Sequence, residues 1–357
     1  MTFPDSNQPL GPGKLPAALL SRLLGSLGQA DDSVLVGPGV GRDAAAIEFG
    51  DRVLVVKTDP ITFATEGAAA YLVDVNANDL ACMGARPRWL LVTSMFPEGT
   101  TTGDVERLFL ELTEVCLDRG VSLVGGHTEV TPGIDRALLV GTMLGDASHA
   151  DLLRPGGARA GDDLYLARGI AIEGTALLAR QLRAVLIPLV GEDLVDRAAA
   201  LFDAPGISVV ADASILREVP GVRALHDPTE GGLGNGVREL AVAAGCGVLL
   251  ERDAVPILPE TAAIASALGL DPLGMLASGA LLVAAAPAAG EPLREAASAS
   301  GIPLARIGSL TPAGAGLLLK SGDTVQPLPE WTTDEAGRAL IAHQRSGKQA
   351  ATLEPSR

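Results

Sequence analysis

The chain has 357 residues, 47 % hydrophobic and only 3 % aromatic, with a formal net charge of −16. That length suits two domains with aliphatic cores. The negative balance argues against a nucleic-acid surface, whose affinity comes mainly from Lys and Arg, but it leaves nucleotides open, since a metal ion can bridge acidic residues to phosphates.

Residues 1–14 read as a flexible start, and LPAALLSRLLGSL (15–27) puts leucines at helical spacing with Pro16 suited to a first turn. VLVGPGVGRDAA (34–45) predicts a strand and a glycine-rich loop, and RVLVVKTD (52–59) a buried strand. EGAAAYLVDVNANDLACMGA (66–85) is expected to be mostly helical, WLLVTSMF (89–96) a strand, and GDVERLFLELTEVCLDRG (103–120) an amphipathic helix closed by glycine. VSLVGGHTEV (121–130) and RALLVGTMLG (136–145) add two strands before the turn-rich stretch 146–163, where the domain boundary is placed. A second set follows: the strand DLYLAR (163–168), a helix from about Gly174, and a helical insert near 190–203. After them come strand, glycine loop and helix in VRALHDPTEGGLGNGVRELAVAAG (222–245), and a helix from Pro259 to Leu268 among further strands. The last thirty residues read as a loose helix and a frayed tail. The expected organisation is an N-terminal segment and helix (1–33), a first domain (34–150), a second (151–325) and a C-terminal helix and tail (326–357).

No apolar run reaches the roughly 18 residues that span a bilayer, and the N-terminus lacks a basic-then-apolar signal region. Cys82, Cys116 and Cys246 are too far apart for a zinc knuckle or a disulfide framework. They read as reduced, packed thiols in a soluble, cytoplasmic protein without nucleic-acid or membrane partners.

Four aspartates share one kind of setting. Asp43 follows Gly37, Gly39 and Gly41, Asp59 ends the buried run VLVVKTD, Asp79 sits on an apolar helix, and Asp227 ends VRALHD before TEGGLGNG. Hard cations such as Mg²⁺ bind through a few carboxylates plus substrate phosphates. Any one aspartate taken alone reads first as a cap or turn residue, except Asp79, whose helix-interior place has no capping role. Lys14 and Lys57 are candidate phosphate contacts, set against the ordinary reading of lysines as solvated; Lys57 stands out because it abuts VLVV and Asp59. His127, in VGGHTEV, is open between general base, metal ligand and hydrogen-bonded turn residue. His226 is expected on the opposite side of an extended strand from Asp227, in a structural role. Neither a P-loop nor a dinucleotide GxGxxG is present.

Taken in order over about residues 12–325, these segments resemble the PurM-like superfamily. It comprises AIR synthase, the FGAM synthase large subunit, selenophosphate synthetase, thiamine-monophosphate kinase and hydrogenase maturation factor HypE. GRDAAAI is similar to the family's GDDAA segment, KTDP to its TD segment, NANDLACMGARP to its N-x-x-D-[IL]-x-x-M-G-A-x-P helix and GGHTEV to its GGxT turn. HDPTEGGL resembles the HypE segment R-D-P-T-R-G-G-L, and GARAGDDLYLA the start of the second domain. The nearest likeness is to HypE.

The resemblance implies a mixed α/β (α+β) two-domain fold: an N-terminal ATP-binding domain whose sheet pairs with that of a second copy into a dimeric β-barrel, and a C-terminal α/β sandwich. It implies a homodimer with ATP and Mg²⁺ as cofactors. Metal would fall to Asp43, Asp59, Asp79 and Asp227, and nucleotide binding to Lys14, Asn76, Gly125, Gly126, Thr128, Thr229, Gly231 and Gly232; the residues themselves, not the resemblance, make His127 and Lys57 the catalytic candidates. The activity implied is phosphoryl transfer that activates an oxygen of a small-molecule substrate. The alternatives are a non-catalytic nucleotide-binding scaffold, or a maturation factor acting on a partner protein's thiol. Four departures bear on that choice. Arg42 stands where Asp is common, His127 where HypE has GDT, and Glu230 replaces an Arg. The tail ATLEPSR has no cysteine of the kind on which HypE carries its substrate group.

Overall fold

The computed structural model describes residues 15, 17–27, 31–61 and 67–352. In chain order the elements of the first half are α1 (Ala17–Gly25), β1 (Val34–Val36), β2 (Ala45–Phe49), β3 (Arg52–Ile61), α2 (Ala68–Cys82), β4 (Arg86–Phe96), α3 (Thr102–Asp118), β5 (Ser122–Val130) and β6 (Leu138–Ala147). Next come β7 (Asp163–Ala167), α4 (Ile172–Gln181), α5 (Arg183–Val190), α6 (Glu192–Ala200), α7 (Val210–Leu216), β8 (Val222–His226), α8 (Gly232–Ala243) and β9 (Gly247–Glu251). The chain closes with α9 (Pro259–Leu268), β10 (Leu281–Ala285), α10 (Gly290–Ala299), β11 (Leu304–Thr311), β12 (Leu317–Ser321), β13 (Thr324–Pro327) and α11 (Glu335–Thr352).

Two sheets result. The first runs β1-β2-β3-β6-β4-β5 and the second β13-β12-β9-β11-β7-β10-β8. Burial along their strands differs, and with it what each sheet faces. β6 alternates half-buried and buried residues without a break, as expected when one face lies on a core and the other does not. The inward residues Leu139 and Met143 join a core with Leu72, Leu80 and Leu112 from α2 and α3. By contrast, every residue of β10 is buried. Leu282 and Ala284 face the core under α8, and Leu281, Val283 and Ala285 face the core under α7 and α10. The second sheet is thus a layer covered on both faces.

Helix α2 joins the halves. Thirteen of its residues are buried, because one side packs on β3 and β6 while the other meets α7 and β8. Asn78 fastens this junction: its Nδ2 donates to the Ile207 carbonyl at 2.9 Å and its Oδ1 accepts the Val209 N–H at 2.8 Å.

Three elements go beyond the sequence reading, the hairpin strand β2, helix α7 and the edge strand β13. The C-terminal segment also differs from the loose helix expected. Ala336 and Leu340 are buried against α4 and α9, and the Trp331 ring lies against Gly234 and Gly274, where any side chain would collide with it.

Candidate functional site

The four aspartates meet where α2, β3 and the loop before β2 approach the end of β8. Gly41 sets up the first. Its φ of +71° favours glycine, and an added Cβ would collide with the Glu239 carbonyl oxygen on α8. The glycine loop therefore lies directly on α8 and brings Asp43 beside His226. Asp59 is placed through Asn76: Oδ1 of Asn76 accepts the Asp59 N–H at 3.1 Å while Nδ2 donates to the Leu72 carbonyl at 2.9 Å. Asp79 projects from α2. Asp227 follows the last residue of β8, itself the edge strand nearest the first domain.

Two cations share this cluster. Lys57 Nζ lies 2.8 Å from Asp79 Oδ2 and 3.1 Å from Asp59 Oδ2. His226 Nδ1 lies 2.8 Å from Asp43 Oδ1, and its Nε2 lies 3.2 Å from Glu239 Oε2. The placement of His226 corrects the alternation argument. The strand ends at His226 and the chain turns, so His226 and Asp227 reach the same cluster instead of opposite faces.

Burial works against the ammonium of Lys57, yet Asp79 and Asp59 outweigh it and hold its pKa well above the ordinary lysine value. Likewise burial opposes an imidazolium at His226, but Asp43 and Glu239 carry its pKa well above the usual histidine range. Two of the carboxyls, Asp227 and Asp79, move upward too. Burial, then the charge of Asp43, lifts Asp227 to about 7. For Asp79, burial raises the pKa, Lys57 pulls it back, and Asp227, Asp59 and Asp43 push it up again.

The donor set fits a hard divalent cation. Asp43 Oδ2 and Asp227 Oδ2 are buried with no hydrogen-bond partner, a costly state for a carboxylate unless a cation or proton meets it. Ligand atoms of Asp43, His226 and Asp227 fall within 4.8 Å of one another, and since both ring nitrogens of His226 are paired with Asp43 and Glu239, the two carboxyls are the members of that group left to hold a cation. Cys82 packs against the same place, its thiol 3.7 Å from Asp227 Oδ1. Burial and then the charges of Asp227 and Asp43 hold that thiol well above its usual range, which disfavours a thiolate.

Other predicted residues lie elsewhere. Gly125, Gly126, His127 and Thr128 are on the exposed edge strand β5, three strands from β3 in the first sheet. There His127 Nε2 pairs with Glu129 Oε2 at 3.0 Å, and Gly126 allows close approach to the Val92 carbonyl. Within one chain His127 therefore does not meet Lys57. Lys14 lies outside the described residues. The Arg42 side chain folds back onto its own loop, donating to the Gly37 carbonyl at 3.0 Å.

The glycine pair after Asp227 is held by the protein itself. Gly231 N–H donates to Asp334 Oδ2 at 2.9 Å, and Gly232 N–H to the Thr229 carbonyl at 3.0 Å. Asp334 Oδ1 also accepts the N–H groups of Ala336 and Gly337 at 2.8 and 3.1 Å. Near it lies Glu173, whose carboxyl burial lifts to about 7. Sequence reasoning missed Asp334, Glu173, Glu239 and His226 as members of these two groups. TDEAG offered a signal for Asp334, since Asp before a helical run is an N-cap pattern.

The chain matches the AIR synthase related protein N-terminal domain over residues 41–147 and the C-terminal domain of the same family over residues 159–319. It is 30 % identical over 301 residues to the carbamoyl dehydratase HypE of Cupriavidus necator, covering 82 % of this chain and 81 % of that one. A crystal structure of hydrogenase maturation protein HypE in complex with ATP superposes with a TM-score of 0.66 at 24 % identity, over 86 % of this chain and 89 % of that one. Thiamine-monophosphate kinase from Stenotrophomonas maltophilia K279a gives a TM-score of 0.63 at 23 % identity, over 82 % and 93 % of the two chains. These structural likenesses establish the two-domain PurM-like fold.

Proposed function

The chain belongs to the AIR synthase related family, close to HypE, and from that premise we propose that it is an ATP-dependent, Mg²⁺-assisted phosphoryl-transfer enzyme acting on an oxygen of a small molecule. One observation carries this reading: carboxyls from four separate segments converge, and Asp43 Oδ2 and Asp227 Oδ2 are buried without hydrogen-bond partners. A merely structural cluster would have those oxygens hydrogen-bonded. The cation would be held in the aspartate cluster, where it offsets charge on the phosphates and on the transferring group. Asn76 holds the Asp59 backbone and so keeps that carboxyl at the cluster. The names of the similar proteins, a carbamoyl dehydratase and a kinase, one of them solved with ATP, support the nucleotide part of the reading.

The same reading makes the molecule a homodimer. The outer face of the first sheet is apolar where a solvated face would be polar: Phe49 is 70 % exposed, and with Leu54, Trp89, Leu91, Val124 and Leu144 it lines an open groove. A second copy of the same face is the occupant that a pairing of N-terminal sheets requires. Leu144→Asp should leave the far-UV spectrum intact and move the sedimenting species from dimer to monomer.

Isothermal titration with ATP, with and without Mg²⁺, tests the nucleotide reading. Binding that needs Mg²⁺, and that Asp227→Asn weakens by at least about tenfold, is the expected result. Equal affinity in both conditions overturns it.

A further inference from the structure

We propose that Lys57 is the resident cation of one half of the aspartate cluster, so that this chain takes a single divalent ion, at Asp43 and Asp227. The inference rests on the cation reading above and divides the ligand set it uses.

The ion pairs divide the cluster into two parts that touch through Asp79 and Asp227. In one, the Lys57 ammonium lies within ion-pair distance of both Asp59 and Asp79, at 3.1 and 2.8 Å. That is the place an ion bridging those two carboxyls would occupy. The lysine side chain is only 19 % exposed, and it is fixed on β3 in register with Met143. Expelling it would bury an unpaired ammonium beside a divalent charge, and like charges at that separation repel strongly in a poorly solvated site.

In the other part no ammonium or guanidinium pairs with Asp43 or Asp227 among the described residues. His226 holds Asp43 Oδ1, but Asp43 Oδ2 and Asp227 Oδ2 are buried and bare. Five carboxyls, with Glu239 included, thus face two cationic side chains, and the oxygens still lacking a partner point to one ion. Lys57 then acts as a positioning residue: it neutralises Asp59 and Asp79, and it sets the ion stoichiometry of the site.

The test is a titration of the full chain with Mn²⁺ alone, with free Mn²⁺ read by electron paramagnetic resonance. Wild type should bind one ion per chain, and Asp227→Asn should weaken it by about tenfold or more. Asp59→Asn should leave the dissociation constant within about threefold, since Asp59 is not a ligand. Lys57→Met, unbranched and uncharged, should bind two ions, whereas Lys57→Arg should bind one. Two ions on wild type, or one on Lys57→Met, overturns the inference while the cation reading stands. No Mn²⁺ on folded wild-type chain overturns both. If Lys57→Met does not fold by circular dichroism, Asp59→Asn decides: a tenfold weakening sinks the proposal, and an unchanged constant supports it.

Discussion

The molecule buries two acidic groups, and they are neutralised in different ways. Around Asp43, Asp59, Asp79 and Asp227 the balancing charge comes from the Lys57 and His226 side chains; three buried carboxylate oxygens make no hydrogen bond, and of these only Asp79 Oδ2 has an ion pair, with Lys57. Around Asp334 it comes from backbone N–H groups, three of which close on the two oxygens of one carboxylate. A carboxylate saturated by amides is finished as a structural part: Asp334 staples the start of α8 to the start of α11. A carboxylate cluster with orphan oxygens still has something to bind. The contrast separates a fastening from a site, although both consist of buried acids near the same helix.

The largest expected effect breaks the comparison at its structural end. Asp334→Ala removes the acceptor from three buried donors, and unmade buried hydrogen bonds are costly. Urea unfolding should show a loss of about 2–4 kcal/mol. Asp227→Asn, made on the other group, should lose little in metal-free buffer, because it removes a buried charge whose Oδ2 has no hydrogen-bond partner. If the two substitutions destabilise equally, the distinction between fastening and site fails.

Next in size is the response to ligand. With Mg²⁺ and ATP at about a hundred times the dissociation constant, wild type should gain about 2.7 kcal/mol of stability. The gain should fall to about 1.4 kcal/mol or less in Asp227→Asn, as a tenfold weaker site requires, and persist in Asp334→Asn, which keeps one acceptor oxygen. Thermal melts with and without the ligand pair read both outcomes.

The sequence carried the site further than the fastening, for physical reasons. Asp79 could be singled out because a charged residue inside an apolar helix has no local partner, so its purpose must be tertiary. Glycines before Asp43 and after Asp227 marked places where the backbone turns tightly. What the sequence hid was direction. His226 was read as facing away from Asp227 because strand alternation was carried one residue past the point where β8 stops. The glycines at 231 and 232 read as phosphate donors, but in the structure they donate to Asp334 and to the Thr229 carbonyl. That depends on a contact across 103 residues, which no local pattern encodes. The fold was plainer: the strands expected at 52–59, 89–96, 121–130 and 136–145 lie within or overlap β3, β4, β5 and β6.

Smaller again is a pH effect that sharpens the contrast. Burial lifts Glu173 from 4.5 to about 7, and the neighbouring charges of Glu230 and Asp334 add to it while a hydrogen bond from Ser278 opposes. Its folded pKa exceeds its unfolded one, so the folded chain holds an extra proton between about pH 4.5 and 7. Stability should therefore fall as pH rises through that window, with the full loss reached above 7. Glu173→Gln removes the titrating group and should flatten the fall by about 1–3 kcal/mol. Chemical denaturation at pH 5 and pH 8 measures it. A wild-type stability that rises across that interval contradicts the burial of a proton-holding acid there.

The smallest effect belongs to an acid–base pair that is neither fastened nor buried. His127 and Glu129 lie 3.0 Å apart on β5, 64 % and 47 % exposed. Thr131 and then His127 draw the Glu129 carboxyl below its usual range. Water solvates both partners nearly as well as they solvate each other, so an exposed pair adds little to folding. His127→Asn should shift the melting temperature by less than about 2 °C. A larger drop would mean that β5 is covered in solution, as the outer face of the first sheet is in the proposed dimer. Repeating the melt on the monomeric Leu144→Asp background distinguishes the two cases: a shift that disappears there belongs to the interface, and one that persists belongs to the strand itself.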